Sequence, residues 1–143
     1  LAGLVPSPML APYAMTKHAV VGLSVSLRPE AATHGIRVSA LCPGPTETPI
    51  LDSRGPEDLA PHDGVSARDL LTKAAGEIYP VEDLVADLLR GIDRNQALIV
   101  TPRRARLAWW VQRLVPSYLE KHAGRLVGWA KREAERVERA ASM

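Results

Sequence analysis

Cysteine is almost absent from this 143-residue sequence, which contains only Cys42. A single cysteine excludes an internal disulfide framework and a cysteine-based zinc site, and it suits a reducing cytosol. Cys42 stands in an apolar run, so we expect a small core residue rather than a reactive thiol. No metal site is expected either, because the histidines are not clustered; they are His18, His34, His62 and His122.

Long hydrophobic runs are missing as well. The apolar stretches are interrupted every few residues, far short of the roughly 20 residues that span a bilayer, and no positively charged leader precedes the first of them. Apolar residues make up 46% of the chain and charged residues 24%, a balance typical of globular proteins. We therefore expect a cytoplasmic protein without a membrane-spanning segment.

Positive charge is scarce in most of the chain and concentrated at its end. Residues 1–101 carry 8 Lys+Arg and 12 Asp+Glu, whereas residues 102–143 carry 10 Lys+Arg and 4 Glu. All three tryptophans also fall in the second segment. This asymmetry predicts a body over residues 1–101 and a basic, amphipathic helical tail over residues 102–143.

The body alternates between helical and strand patterns. Apolar residues at helical spacing predict helices over 12–34 and 80–92, and apolar runs at 36–41 and 97–100 predict strands. Residues 46–79 are broken by prolines and predict a long loop with one short helix. Alternating helices and apolar strands are typical of an α/β fold with a parallel sheet. Since two strands make no stable sheet by themselves, the body looks like half of a domain.

The pattern that carries chemistry is Tyr13-Ala14-Met15-Thr16-Lys17, which places a phenol and an ammonium on one helical face. Free tyrosine has a pKa of about 10, too high for a useful base at neutral pH. A neighbouring ammonium stabilises the phenolate and lowers that pKa. By itself the pair is weak evidence, and a surface tyrosine beside a surface lysine is the ordinary alternative.

The surrounding sequence makes the pattern specific. YAMTKHAVVGL at 13–23 is followed by HGIRV at 34–38 and by CPGPTETP at 42–49. In this order and at this spacing, residues 1–101 closely resemble the C-terminal half of a classical short-chain dehydrogenase/reductase. The resemblance implies the C-terminal part of a doubly wound, parallel-sheet (Rossmann-like) domain, followed here by the helical tail.

The resemblance also implies a role for each matching residue. Tyr13 matches the family's catalytic acid/base and Lys17 the lysine that lowers its pKa, so the chain would interconvert an alcohol and a carbonyl with NAD or NADP. The residues that match the positions around the nicotinamide are Tyr13, Lys17, Pro43, Gly44, Thr46 and Thr48. Residues 49–79 match the substrate lid, and their apolar side chains favour an apolar substrate. A homo-oligomer is also implied.

Parts of the family's site are not in this sequence. No G-x-G-x-x-G phosphate loop occurs, and the family's catalytic serine would fall immediately before Leu1. Ser7 lies between two prolines and is not assigned that role. We therefore expect a chain truncated before its dinucleotide-binding half, with exposed apolar helix faces and no activity by itself.

The apolar spacing in the tail predicts two helices separated by Pro116. The run RRAR at 103–106, just before Trp109 and Trp110, is typical of helices that lie on membrane surfaces. Packing of the tail on the body or on a second subunit is the favoured alternative, and nucleic acid is not expected. A non-catalytic relic or an interaction module that uses this tail is the alternative to an enzyme.

Overall fold

The structure is a computed structural model and describes residues 1–52 and 66–141. Its elements, in chain order, are α1 (Ala11–Ala32), β1 (Ala40–Pro43), a 3-10 turn (Pro49–Leu51), α2 (Ala67–Ala75), α3 (Val81–Asp93), β2 (Leu98–Thr101), α4 (Arg103–Leu114) and α5 (Pro116–Ala141). The fold is mixed α/β, with a small parallel sheet and mostly helices. This confirms the predicted class, a part of a Rossmann-like domain followed by a helical tail.

The described sheet consists of β1 and β2, which pair in parallel with Ala40 opposite Leu98 and Pro43 opposite Thr101. The prediction of a strand over 36–41 was wrong in its extent, because the structure begins β1 at Ala40. A strand needs a partner for its backbone groups, and β2 offers only four residues. The rest of the predicted strand therefore lies outside the ladder.

α3 packs directly on β2 through a glycine. A Cβ added to Gly91 would lie 2.6 Å from both Cδ1 and Cγ1 of Ile99, so any larger residue would push the helix away from the strand. The helix begins after Pro80 and carries Glu82 and Asp83 in its first turn, where the helix dipole favours acidic side chains. The predicted helix over 80–92 is confirmed within one residue at each end.

α1 begins with Pro12 in its first turn and is followed by Gly35, whose φ of 72° reverses the chain. Ala31 is the buried residue of this helix. Its larger apolar side chains are exposed, as expected: Met15, Val20, Leu23, Val25 and Leu27. The guanidinium of Arg28 donates to the carbonyl oxygens of Val38 and Asn95, which fastens the end of α1 to the segments that enter both strands.

The core joins the sheet to the first tail helix. Its buried residues are Ala40, Cys42, Val100 and Ala105, with Trp109 packed against them. Cys42 is buried, as predicted, and burial raises the pKa of its thiol. α5 packs on α4 and α2, and its Ala130 and Ala134 are buried. The tail thus packs on the body.

In the described ranges, no helix combines the length and the hydropathy needed to cross a membrane.

Candidate active site

A cavity of about 450 Å³ lies where both strands end, enclosed by the N-terminal segment, α2 and the two tail helices. Tyr13, Pro43 and Gly44 line this cavity. Ligands of parallel α/β sheets bind beyond the carboxyl ends of the strands, so the cavity occupies the expected place. Its walls are mainly apolar, with side chains from α2, α4 and α5: Leu70, Leu71, Ala74, Ala105, Ala108, Leu119, Ala123 and Leu126.

Tyr13 and Lys17 lie one turn apart at the start of α1. The Lys17 Nζ lies 5.2 Å from the centre of the Tyr13 ring, so the ammonium and the phenol share one face, as their spacing predicts. The half-exposed Tyr13 ring lines the cavity, whereas Lys17 is not among the lining residues. Lys17 therefore contacts the tyrosine that lines the cavity but does not itself line the cavity.

The N-terminal segment crosses α1 at Lys17 with no room for a side chain. A Cβ on Gly3 would lie 2.6 Å from the carbonyl oxygen of Lys17 and 2.8 Å from Cγ2 of Val21. Glycine at this position therefore fixes how closely the segment approaches the lysine turn. The packing of Gly3 against the Lys17 carbonyl oxygen is visible only in the structure and could not be read from the sequence.

The turn after β1 is held against the end of β2. The Gly44 amide donates to the Thr101 carbonyl oxygen at 2.7 Å, which extends the strand ladder by one bond. A Cβ on Gly44 would lie 3.1 Å from Cδ of Pro102, so the turn also packs against the start of α4. Pro43 and Gly44 are thus placed beside the cavity by both the sheet and the tail.

Thr46 and Thr48 lie in the segment that leads away from this turn and are not in the cavity wall. The Thr46 hydroxyl donates to the Gly44 carbonyl oxygen at 3.1 Å, and the Thr48 hydroxyl donates to the Thr46 carbonyl oxygen at 3.4 Å. The structure therefore separates the six predicted site residues into two groups. Tyr13, Pro43 and Gly44 meet at the cavity, while Lys17, Thr46 and Thr48 lie behind them.

A hydrogen-bond network at Asp87 was not predicted from the sequence. Its carboxylate accepts hydrogen bonds from the hydroxyl of Thr101, from the Tyr79 hydroxyl at 3.0 Å and from Arg90 at 2.5 Å. These hydrogen bonds lower the pKa of Asp87, and the bond from Thr101 contributes most. Burial and the hydrogen bond to the Asp87 carboxylate raise the pKa of Tyr79. The network joins α3 to the end of β2.

Tyr79 connects this network to the segment that follows β1. Its amide donates to the Pro45 carbonyl oxygen, and its own carbonyl oxygen accepts from the Glu47 amide, both at 2.9 Å. Thr46 and Tyr79 accordingly form a parallel bridge. The segment with Thr46 is therefore held through Tyr79 by Asp87, a dependence that no sequence spacing reveals.

α2 is fastened to the same segment by Arg68. Its guanidinium contacts the carboxylates of Glu47 at 2.6 Å and Asp52 at 2.7 Å. The hydrogen bonds from Arg68 lower the pKa of both carboxylic acids and raise the pKa of the guanidinium. Ser66 caps the helix by accepting from the Asp69 amide at 3.0 Å. The ion pairs of Arg68 therefore position α2, which forms one wall of the cavity.

The predicted lid over 49–79 contains α2, which forms one wall of the cavity. Residues 53–65 of this predicted lid lie outside the described residues. Arg104 of α4 closes the junction between α2 and the tail, because it donates to the Glu77 carbonyl oxygen and lies 3.7 Å from the Glu77 carboxylate.

Metal-ligating side chains do not gather in the part of the chain that the structure describes, where no three of His, Cys, Asp or Glu lie close enough together to hold an ion.

The sequence was compared with protein families and with known proteins. Residues 1–59 match the family model described as short chain dehydrogenase. The chain is 42% identical over 81 residues to the uncharacterized oxidoreductase YhxD of Bacillus subtilis, a match that covers 56% of this chain and 26% of the relative. It is 48% identical over 59 residues to oxidoreductase UcpA of Escherichia coli K12, which covers 38% of this chain and 22% of the relative.

A third relative has a more specific name. The A-factor type gamma-butyrolactone 1'-reductase (1S-forming) of Streptomyces virginiae is 47% identical over 49 residues, 34% of this chain and 19% of the relative. The chain thus spans about a quarter or less of the length of these three relatives, and no solved structure matches it. Residues 1–59, the segment that carries Tyr13 and Lys17, are therefore similar to short-chain dehydrogenases.

Proposed function

We propose that this chain supplies the tyrosine–lysine part of an NAD(P)-dependent oxidoreductase that interconverts an alcohol and a carbonyl. The observation that carries the proposal is the position of the Tyr13 ring, which lies beside the Lys17 ammonium and lines a cavity at the carboxyl ends of parallel strands. The family match over this segment and the names of the oxidoreductase relatives support it.

Tyr13 is the proposed acid/base. Its hydroxyl would pass a proton to or from the substrate oxygen, and the Lys17 ammonium would stabilise the phenolate that remains. A bound dinucleotide supplies the acceptor or donor of hydride. The lysine acts across one helical turn and needs no place in the cavity wall, which agrees with its position behind the tyrosine.

The residues around the turn after β1 fit the nicotinamide end of such a dinucleotide. Pro43 and Gly44 line the cavity, and glycine lets a ring approach the backbone closely. Thr46 and Thr48 donate to backbone carbonyls, yet each hydroxyl oxygen keeps its acceptor capacity for the amide of a carboxamide. The pyrophosphate end has no G-x-G-x-x-G counterpart in the chain.

The cavity favours an apolar substrate. Its walls come from α2 and α5 through side chains such as Leu70, Leu71, Leu119 and Leu126, and apolar walls stabilise a bound hydrocarbon by removing its surface from water. We therefore propose a substrate in which the reacting alcohol or carbonyl is attached to an apolar group.

We also propose that residues 1–143 alone do not turn over substrate, because a helix N-terminus with a glycine-rich loop is what binds the pyrophosphate in this class. The test is to follow the absorbance of NADH and NADPH with the purified chain and a series of apolar ketones. We expect no consumption above the enzyme-free rate. Consumption that is lost in Tyr13→Phe would overturn this part of the proposal and support the catalytic role of the tyrosine.

The role of Tyr13 is tested in a chimera in which residues 1–52 replace the corresponding segment of the Streptomyces virginiae reductase. We expect a chimera active as a 1'-reductase and a 10²–10⁴-fold lower kcat for its Tyr13→Phe variant, the usual contribution of a positioned acid/base. Met15→Leu is the matched control, since Met15 is exposed and does not line the cavity. A folded chimera whose activity survives Tyr13→Phe refutes the proposal.

A homo-oligomer is proposed from the surface of α1. Val20, Leu23 and Leu27 are exposed and share one side of the helix by their spacing of three and four, and exposed apolar groups of this kind mark interfaces. Size-exclusion chromatography with light scattering should give a mass above that of one chain, and Leu23→Glu should lower it. A monomer at micromolar concentration would contradict this proposal without bearing on the role of Tyr13.

A further inference from the structure

The outer face of α4 combines exposed apolar side chains with arginines. Leu107, Trp110 and Leu114 follow one another at intervals of three and four, so they share one side of the helix. They are 65%, 49% and 73% exposed. Arg103, Arg106 and Arg113 are exposed on the same helix. Arg106 also donates to the Val100 carbonyl oxygen, and the Arg113 guanidinium lies over the Trp109 ring. We call these six residues the α4 outer face.

The opposite side of the same helix is used for packing. Ala105 is buried in the core and Trp109 packs against it, while Ala108 lines the cavity. The two neighbouring tryptophans differ in exposure. Trp109 holds the helix to the body, and Trp110, whose ring centre lies 5.4 Å from that of Trp109, is half exposed. The exposure of the α4 outer face is therefore not a sign of a detached helix.

The charge of the segment that carries this face has a single sign. From Pro102 to Leu119 the sequence contains four arginines and no acidic residue. Exposed apolar residues continue past the helix end at Val115 and Tyr118. A tryptophan and leucines surrounded by arginines, with a tyrosine at the margin, match the chemistry of a boundary between anionic headgroups and hydrocarbon.

We propose that the α4 outer face docks the protein on the surface of a membrane that contains anionic lipids. Leu107, Trp110 and Leu114 enter the boundary between headgroups and acyl chains, and the arginines contact the headgroup phosphates. The helix lies parallel to the surface and does not cross it. This proposal is independent of the catalytic role of Tyr13, since it uses no residue of the cavity.

A second copy of the chain is a poorer occupant of this face. Most homodimers are isologous, so the same patch faces itself across a twofold axis. Such an arrangement would bring the arginines of one copy against those of the other with no acidic residue in the segment to offset them. The exposed apolar residues Val85 and Leu89 of α3 lie on a helix with several acidic residues and a single arginine, and they therefore provide a matched control surface.

The test is co-sedimentation of the 143-residue chain with vesicles of phosphatidylcholine alone or with phosphatidylserine. We expect partitioning that requires phosphatidylserine and weakens with salt. Arg103→Gln with Arg113→Gln should weaken it about fivefold for each arginine. Trp110→Ser with Leu114→Ser should weaken it about tenfold or more, because the apolar contact is lost.

The control pair Val85→Ser and Leu89→Ser on α3 should leave partitioning unchanged. Brominated lipids should quench tryptophan fluorescence in the unmodified chain and much less in Trp110→Phe, which separates insertion from simple adsorption. Circular dichroism should be the same for all variants, since every changed residue is exposed. Absence of partitioning, equal binding to uncharged vesicles, an equal loss in the control pair, or a dimer broken by the α4 changes would each overturn the proposal.

Discussion

The two longest helices, α1 and α5, differ in how their apolar residues are covered. α1 has 22 residues and one of them, Ala31, is buried, although the helix carries a succession of large apolar side chains. α5 has 26 residues and far more charge, and its narrow apolar stripe includes the buried Ala130 and Ala134. The large apolar side chains of α1 are thus left exposed by the described part of the chain. The apolar stripe of α5, in contrast, includes residues that are buried against neighbouring helices.

This difference shows how the tail and the body depend on each other. α5 rests on α4 and α2, and its residues close the cavity that Tyr13 lines. The tail therefore completes a site whose proposed chemical groups stand in the body. Larger side chains at buried positions of the tail should therefore lower the free energy of unfolding. Larger side chains on the exposed surface of α1 should change it little.

The largest effect is expected from a glycine that is packed in the body. Gly91→Leu drives a side chain into Ile99 and should lower the free energy of unfolding by about 3 kcal/mol. Gly124→Leu in α5 is the matched control, because nothing lies within 4 Å of the Cβ position there, and it should stabilise by about 0.5 kcal/mol. Urea unfolding followed by circular dichroism measures both; equal effects would show that α3 does not press on β2.

The next effect compares the two long helices directly. Ala130 is 1% exposed, so Ala130→Leu should overpack the tail and cost about 2 kcal/mol. Ala19→Leu in α1 adds the same atoms on an exposed surface and should change stability by less than about 0.5 kcal/mol. If both changes were tolerated in urea unfolding, the idea that α5 fits its neighbours more closely than α1 does would fail.

A smaller effect is expected from the network at the end of β2. Asp87→Ala leaves the hydroxyl of Thr101, a residue only 2% exposed, without its carboxylate acceptor, which should cost roughly 1–2 kcal/mol. Asp83→Ala, one turn earlier in α3, is the control and should cost less. Amide exchange at Tyr79 and Glu47 should rise in Asp87→Ala alone; unchanged exchange would mean that Asp87 does not hold this segment.

The smallest effect concerns the exposed contact of α2 with the body. Arg68 lowers the pKa of Glu47 and Asp52 from their ordinary values of 4.5 and 3.8. The stabilisation is therefore fully present above those values and is lost as the pH falls through the lowered values in the folded protein. The Nε–H resonance of Arg68 should move below about pH 4. Arg136, paired with Glu133 in the tail, provides the comparison; identical titration curves would contradict a special role for Arg68.

Sequence reasoning was most successful where the pattern is local. The helices over 12–34 and 80–92 were predicted from apolar spacing and from their flanking proline and glycine, and the structure confirms both. The shared face of Tyr13 and Lys17 follows from a spacing of four residues on a helix. Residues 36–39 were misplaced in a strand because β-pairing depends on a partner that is distant in the sequence.

The site was only partly accessible in this way. The spacing named six residues, but it gave no sign that three of them meet at the cavity while the others lie behind. Asp87 and Arg68 were missed because their partners, such as Thr101 and Glu47, are 14 and 21 residues away. The basic and aromatic cluster of the tail was seen as one unit, and the structure divides it between a core residue, Trp109, and an exposed one, Trp110.

The sequence by itself determined the helical periods, the positions of the turns and the shared helical face of Tyr13 and Lys17, because each depends on residues within a few turns of one another. Tertiary structure alone decided which side of α4 faces the core, which residues of α5 close the cavity and how Asp87 and Arg68 hold the segment after β1. The physical reason is that burial and hydrogen bonding between distant segments depend on where the chain meets itself in space.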